Sequence, residues 1–336
     1  MTPSAVPVSV VIPAYEAASY LEDTVDSVRD QTVDVDEIVV VDDGSSDDTA
    51  RVAKALDVRL IRHGSNRGVS AARNSGVRAA HNEWIALLDA DDVWKRHKIE
   101  RQWSVVQRHD AVDVLFSDRE HVHDGEVVRE QYLTEYEPYL NIERTELESN
   151  VYRLDGDSLG QALLPGNFLK PSTLLFRREI FEKAGAFDEK FTAPDSPIGT
   201  CEDHDLSLRL SVLTDPVVVE EPLVLYRLVE GGLSSDTVGM QIGYSYLAEK
   251  IMERPDRYPA GAPEHFRERR PEWLRTAAVR CMHDDRFELA ESLLRRSLRD
   301  RASVRTLLAL LVCSLGPGPF RAALSLKRYI GLPGLR

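Results

Sequence analysis

The sequence has only three cysteines, Cys201, Cys281 and Cys313, odd in number and widely spaced, which supports neither a disulfide framework nor a zinc site. A reducing compartment fits, and the cytoplasm is the expected location. Positive charge is also short, with 42 Lys and Arg against 56 Asp and Glu and a net charge of -14. This argues against a nucleic-acid partner, which would require a basic face to displace phosphate counterions. Long apolar runs are missing too. The most apolar stretch, Leu307 to Leu315, falls far short of the ~20 residues that span a bilayer. Met1 to Val11 has neither a basic n-region nor a long apolar segment, so no cleaved secretory signal is expected. What is present is a 336-residue chain with 43% hydrophobic residues, ample for a core in one large domain or in a catalytic domain with an appendage.

Short apolar runs alternate with amphipathic segments along the first hundred residues. Val8 to Ile12 reads as a strand stopped by Pro13, and Ser19 with Glu22 as a capping box before a helix marked by Leu21, Val25 and Val28. Ile38 to Val41 is a second strand, Thr49 to Leu56 a helix, Val58 to Ile61 a third strand, Val69 to Ala80 a small-residue helix, and Trp84 to Leu88 a fourth strand. This order predicts right-handed βαβ units, a mostly parallel central sheet and an α/β fold. The polar segment from Asp118 to Gly160 is expected to form loops and helices over one edge. Pro171 to Phe176 reads as a strand. A helix is expected from about Glu202 with Leu206, Leu210 and Leu213 on its buried side, followed by two strands, Val217 to Val219 and Leu223 to Tyr226. From Met240 the pattern is helical, which divides the chain into a catalytic domain, 1–239, and a C-terminal helical region, 240–336.

Two acidic clusters stand where strands end: Asp42-Asp43, and Asp89-Ala90-Asp91-Asp92. In an open α/β sheet the carboxyl ends of strands are where ligands bind. Carboxylates gathered there repel unless a cation or hydrogen-bond donors compensate, which suits a metal-bound diphosphate together with a nucleoside. Taken alone, Asp42-Asp43-Gly44-Ser45 is equally a good turn and helix entry. Arg73 and Asn74 follow a glycine loop, near where a phosphate would sit if the helix amino terminus points at the site.

Six pieces in order, Val10-Val11-Ile12-Pro13-Ala14-Tyr15-Glu16, Val41-Asp42-Asp43-Gly44-Ser45, Asn66-Arg67-Gly68 with Ala72-Arg73-Asn74, Leu88-Asp89-Ala90-Asp91-Asp92, Gly185-Ala186-Phe187-Asp188 and Glu202-Asp203-His204-Asp205-Leu206, resemble the family 2 glycosyltransferases. The resemblance covers roughly residues 6 to 235. It implies the GT-A nucleotide-sugar fold, with Pro13, Tyr15, Glu16 and Asp43 holding the nucleoside and Asp89 facing the ribose. Asp91 would coordinate a divalent ion, Mg2+ or Mn2+, and Arg73 would lie near phosphate. It further implies that Asp203 is the general base of an inverting transfer, from a nucleotide sugar, a UDP-sugar by preference, to a hydroxyl of a glycan or lipid-linked acceptor. Adjacent acids can raise one another's pKa, which would suit Asp203. Beside these, Asp42 is read as structural, Asp92 as part of a solvated turn, Glu202 and Asp205 as first-turn acids favoured by the helix macrodipole, Thr200 with Asp203 as a cap, and His204 as a bystander.

One departure stands out: the family usually carries a histidine where this chain has Val229, and Ser234 or Ser235 is left to touch phosphate. A binding-only relative that lost catalysis is therefore a rival reading. A sugar-nucleotide nucleotidyltransferase is disfavoured, because Pro13-Ala14-Tyr15-Glu16-Ala17 occupies the place of its glycine-rich loop. At the carboxyl end, Arg295, Arg296, Arg299, Arg301, Arg305, Arg321, Lys327, Arg328 and Arg336 face one acid, Asp300. Interleaved with leucines, they suit helices lying peripherally on the inner face of the cell membrane; the alternative is an apolar face packed on the catalytic domain.

Overall fold

The structure, a computed structural model, describes residues 5–194, 198–229, 232 and 236–321. Ser234, Ser235, Lys327, Arg328 and Arg336 lie outside the described residues. Strands β1 (Val6–Ala14), β2 (Val35–Asp42), β3 (Arg59–Arg62) and β4 (Trp84–Leu87) alternate with helices α1 (Leu21–Arg29), α2 (Thr49–Ala55) and α3 (Val69–Ala79). They form a parallel block in the order β3-β2-β1-β4. Val8, Val10, Val11 and Ile12 of β1 are fully buried, as expected of a central parallel strand covered on both faces. Pro13 does not end the strand; Pro13 and Ala14 stay in register with Val41 and Asp42. Helix α3 lies close against this block, since a Cβ at Gly76 would come within 2.2 Å of Val11 Cγ1. Helix α1 has no capping box: Tyr20 is its cap residue without a side-chain bond, and Ala17 O accepts from the N–H of Tyr20 and Leu21.

The polar middle holds strands as well as the expected loops and helices. After β5 (Val93–Trp94) and helix α4 (Lys98–Arg108) come β6 (Val114–His123), β7 (Glu126–Arg129), helix α5 (Glu137–Leu140), β8 (Arg144–Glu148), β9 (Val151–Leu154) and helix α6 (Gly156–Leu163). Polarity hid β6 because it buries Ser117, Asp118 and Arg119. Asp118 Oδ1 accepts from the N–H of Arg119, Tyr132 and Leu133 at 2.7, 3.0 and 2.9 Å, which compensates that oxygen, while Oδ2 has no hydrogen bond and burial raises the carboxyl above its ordinary value. Pro171–Thr173 is a 3₁₀ turn, and only Leu175–Arg177 forms a strand, β10, ahead of helix α7 (Arg178–Ala184). Helix α8 (Glu202–Ser211) stops before Leu213, which is exposed. The two strands expected after it are one, β11 (Val217–Arg227), whose register with β6 shifts on either side of Pro222. The sheet continues past β4 as β10-β6-β11-β9-β8, with β10 antiparallel to its neighbours and β6 and β11 parallel to each other.

Contacts divide the chain into two compact units: Met1–Ser196, Cys201–Gly232 and Arg254–Ala262, and Pro197–Thr200, Leu233–Glu253 and Pro263–Arg336. The expected seam at 239/240 thus differs from the observed one, and 254–262 returns to the first unit. Tyr258 there donates to Asp205 Oδ1 at 2.7 Å. The second unit holds α9 (Thr237–Glu253), most of α10 (Ala262–His283), α11 (Phe287–Asp300) and α12 (Val304–Ser314). Its core gathers Leu274, Ala277, Ala278, Leu293 and Leu294. Among the described residues no helix is long and apolar enough to cross a membrane.

Candidate active site

The carboxyl ends of β1 and β2 adjoin, and their acids face inward. Asp42 is fully buried. It accepts from the N–H of Ser45 at 2.9 Å and pairs with Arg62 at 2.9 Å, which fixes the turn into α2. Asp43, also buried, accepts at both oxygens from the N–H of Arg67 (3.0 and 3.1 Å) and at Oδ2 from that of Gly68 (2.7 Å), while His63 Nδ1 lies 2.5 Å from Oδ1. In this structure Asp43 therefore shapes the loop that launches α3, and a nucleoside would have to share an already occupied carboxylate. Gly68 is required in that loop: its φ is +92° and a Cβ would meet Thr192 O at 2.1 Å. Glu16, at φ +49°, accepts from Ser46 N and Oγ at 2.8 Å each. Pro13 is buried within β1, so Tyr15, half exposed, presents most of the open surface at this end.

The second cluster turns on Arg73. It sits in the second turn of α3, nearly fully buried, not at the helix start. Its two terminal nitrogens donate to Asp89 Oδ1 at 2.7 Å and Glu202 Oε1 at 2.9 Å, and its guanidinium stacks over Phe187 at 5.2 Å. Burial disfavours the charge, but Asp89 and Glu202 outweigh it and hold the guanidinium pKa above its ordinary value. Arg73 thus joins two carboxylates 113 positions apart, one after β4 and one opening α8. Asn74 clamps the Gly185-Ala186-Phe187-Asp188 segment, donating to Phe187 O at 2.9 Å and accepting from its N–H at 3.1 Å.

Asp92 is not part of a solvated turn. It is buried, accepting at Oδ2 from Ser172 Oγ at 2.5 Å and at Oδ1 from the N–H of Arg227 at 3.0 Å. Burial and the charges of Asp91 and Asp89 hold its carboxyl well above the usual range. Ser172 Oγ also accepts from the N–H of Asp89 at 3.1 Å, so one hydroxyl braces the whole acidic turn. Asp91 is left over: among the described residues it has no cation within ion-pair distance, and burial together with Asp89 raises its carboxyl to about 6. The charges of Arg73 and Arg227 offset this only in part. No group of three or more His, Cys, Asp and Glu is arranged to hold a metal among the described residues. One or two carboxylates of this turn are what the chain itself could offer a hard divalent ion, whose remaining ligands would be phosphate and water.

Helix α8 opens with Cys201 as its cap residue and no side-chain cap bond, so Thr200 and Asp203 do not form a box. Asp203 Oδ1 accepts from the N–H of His204 at 2.7 Å, and Lys170 Nζ lies 3.3 Å from Oδ2. Burial works to raise the Asp203 carboxyl, but Lys170 leads the opposing charges and the net shift is downward. The raised member of the pair is Glu202, through burial and the charge of Asp203, with Arg73 countering. Glu202 and Asp205 are not mere first-turn acids. Both are buried, and Asp205 is held by Arg209 at 2.6 Å and Tyr258 at 2.7 Å. His204 is buried with Nε2 2.8 Å from Leu163 O, and burial lowers its pKa to about 4.

Lys170 had no sequence motif to announce it. Nor had the cluster near it, where buried Arg119 lies 3.7 Å from the centre of the Tyr132 ring and donates to Phe168 O at 2.8 Å. His121 stacks on Tyr132 at 4.9 Å, and burial and Arg119 lower its pKa to about 4. A separate cavity of about 510 Å³, with Asp23, Asp26 and Asp30 on one wall and Arg96 and Arg227 on another, is lined by none of the expected site residues.

The model of the family described as glycosyl transferase family 2 matches residues 9–184, just over half the chain. An uncharacterized glycosyltransferase of Nostoc sp. is 34% identical over 190 residues, which are 54% of this chain and 54% of that protein. The chain thus spans about half the length of that curated relative. Among solved structures, S. aureus TarS 1-349 in complex with UDP has a TM-score of 0.57 at 17% identity, covering 94% of this chain and 91% of that one. A mannosyltransferase from Pyrobaculum calidifontis in complex with GDP-Man and Mn2+ has a TM-score of 0.55 at 16% identity, covering 96% and 84%. Parallel sheet, acidic strand ends and family match agree: the chain belongs to glycosyl transferase family 2, with the GT-A fold of its structural neighbours.

Proposed function

We propose that this chain transfers a sugar from a nucleotide-diphosphate donor, a UDP-sugar, to an acceptor hydroxyl on a glycan or lipid-linked glycan, inverting the anomeric carbon. The observation that carries the proposal is the Arg73 bridge, which joins Asp89 of the Asp-X-Asp turn to Glu202 beside Asp203. It draws the donor-diphosphate end and the candidate base into one buried charge network. TarS in complex with UDP and the mannosyltransferase in complex with GDP-Man and Mn2+ support the donor class.

In this reading Asp203 takes the proton of the acceptor hydroxyl as its oxygen bonds to the anomeric carbon. The bond from that carbon to the diphosphate breaks on the opposite face and its electron pair leaves with the diphosphate. Lys170 keeps Asp203 ionised and oriented before transfer. Arg73 holds Asp89 and Glu202 in place, and Tyr15 offers a ring to the nucleoside. Asp91, with Asp89, would hold a divalent ion, Mg2+ or Mn2+, which when bound offsets the charge of the departing diphosphate. Val229 cannot help to hold it, so the ion should bind weakly without nucleotide.

The test is release of nucleoside diphosphate from a panel of nucleotide sugars by purified protein, with and without chelator. Asp203→Asn should keep nucleotide affinity and lose roughly 10² to 10⁴ in transfer, while Asp91→Asn should abolish the effect of chelator on affinity. Near-normal turnover in Asp203→Asn, or no donor turnover by the wild type, would overturn the assignment in favour of a binding-only relative.

A further inference from the structure

The apolar residues of α12 divide between two faces. Thr306 and Cys313 are buried, and Ala309, Leu310 and Val312 pack on the helical core. On the opposite side Val304, Leu307, Leu308, Leu311 and Leu315 form one stripe at helical spacing, with exposures from 53% to 73%. An isolated exposed leucine is ordinary; five along one helix face are not.

Beyond the end of α11 the sequence carries charge of one sign. No acidic residue follows Asp300, whereas Arg301, Arg305, Arg321, Lys327, Arg328 and Arg336 do, in a chain of net charge -14. Within the unit several cations are already used: Arg270 pairs with Asp300 and Glu249, Arg295 with Glu291, Arg296 with Glu249, and Arg321 with Asp285. Arg299, Arg301 and Arg305 have no ion pair among the described residues and cluster at the α11–α12 turn. On a helix Arg305 sits 100° from Val304, at the border of the stripe.

We propose that this stripe, flanked by Arg299, Arg301 and Arg305, seats on an anionic lipid surface. The helix lies in the interface with leucines toward the acyl chains and arginines at the headgroups, since it is too short to cross. An anionic surface fits better than a second copy of the chain, because the stripe and the sequence after Asp300 carry no acid with which a second copy could meet these arginines. The inference is independent of the transfer reading, because the stripe contains no candidate site residue.

Flotation of the full-length protein with phosphatidylglycerol-containing and pure phosphatidylcholine vesicles tests it, at low and high salt. Binding is expected to the anionic vesicles at low salt and to fall steeply with salt. Arg299→Gln/Arg301→Gln/Arg305→Gln should weaken it by roughly fivefold per arginine in contact, and Leu308→Glu/Leu311→Glu should abolish it. Circular dichroism and donor hydrolysis without acceptor, both expected unchanged, report whether the variants fold. Three results would overturn the proposal: no binding by wild type at low salt, equal binding to neutral vesicles, or binding unaffected by the leucine substitutions. A concentration-dependent dimer that Leu308→Glu/Leu311→Glu dissociates, without lipid binding, would identify a second copy as the occupant instead.

Discussion

The sheet-bearing unit and the helical unit use charge in opposite ways. Around the candidate site, ionic groups are buried and paired across long stretches of sequence: Arg73 with Asp89 and Glu202, Asp92 with the backbone of Arg227, Asp205 with Tyr258. In the helical unit many pairs are exposed, as with Arg295 and Glu291 one helical turn apart or Arg321 and Asp285. Buried pairs add little net stability over an apolar core but are expensive to break, whereas exposed pairs are worth little either way. The first unit thus has its charges where geometry must be held, and the second keeps them for solubility or for a surface it touches.

The largest effect should come from Arg73→Met. It leaves buried Glu202 and partly exposed Asp89 without their shared cation, at a cost of about 3 kcal/mol, the low end for a broken buried pair. Urea denaturation followed by tryptophan fluorescence, with Trp84 and Trp94 in the sheet unit, measures it. Arg73→Lys should recover only part of the loss, because an ammonium lacks the planar fork that reaches both carboxylates. A loss below about 1 kcal/mol, the size of an exposed pair, would erase the contrast between the units.

The same contrast explains what could be read from the sequence. The βαβ half was legible because a parallel sheet buried on both faces writes itself as apolar runs, Val8 to Ile12 and Ile38 to Val41 among them. The strand-end acids were legible as motifs, but their partners were not. Asp43, expected to meet a nucleoside, also receives the N–H groups of Arg67 and Gly68, and Asp92 is expected in solvent and is buried against Ser172. Both depend on loops brought in by tertiary folding, which local periodicity does not encode. β6 escaped notice because its buried Ser117, Asp118 and Arg119 break the apolar pattern. Lys170 escaped because a lone lysine in a loop carries no spacing signal.

A smaller effect, and a sharper one, concerns Lys170→Met. Burial alone would push the Asp203 carboxyl up, and Lys170 is the leading charge that brings it below its ordinary value. Glu202, Cys201, His204 and Asp205 on the same turn, and Arg73 from α3, remain in the variant. A base must be ionised to accept a proton, so its activity falls on the acid side of its pKa. With its carboxyl held below the ordinary value, Asp203 should impose no acid limb of its own on wild-type kcat/KM near neutrality, so any limb there belongs to Asp91, raised to about 6. In Lys170→Met the limb set by Asp203 should move up, and Lys170→Arg should restore the wild-type profile. A uniform loss of rate with an unmoved acid limb would mean that Lys170 only packs beside Asp203.

The smallest effect belongs to the helical unit and fixes the other end of the scale. Arg295 and Glu291 are paired at 2.5 Å across one turn of α11, with side-chain exposures of 58% and 38%. The geometry is good, but water screens both groups and ordering two long side chains costs entropy. The coupling in a double-mutant cycle of Arg295→Gln and Glu291→Gln should therefore stay at about 0.3–0.5 kcal/mol. It should shrink further in high salt, because exposed charges are screened within about a Debye length of 10 Å at 0.1 M. Arg73 should be insensitive to the same salt, being buried with its carboxylates. A coupling above about 1.5 kcal/mol that survives salt would mean that α11 pairs are structural after all, and the arginines at its end could not then be treated as surface charge available to a membrane.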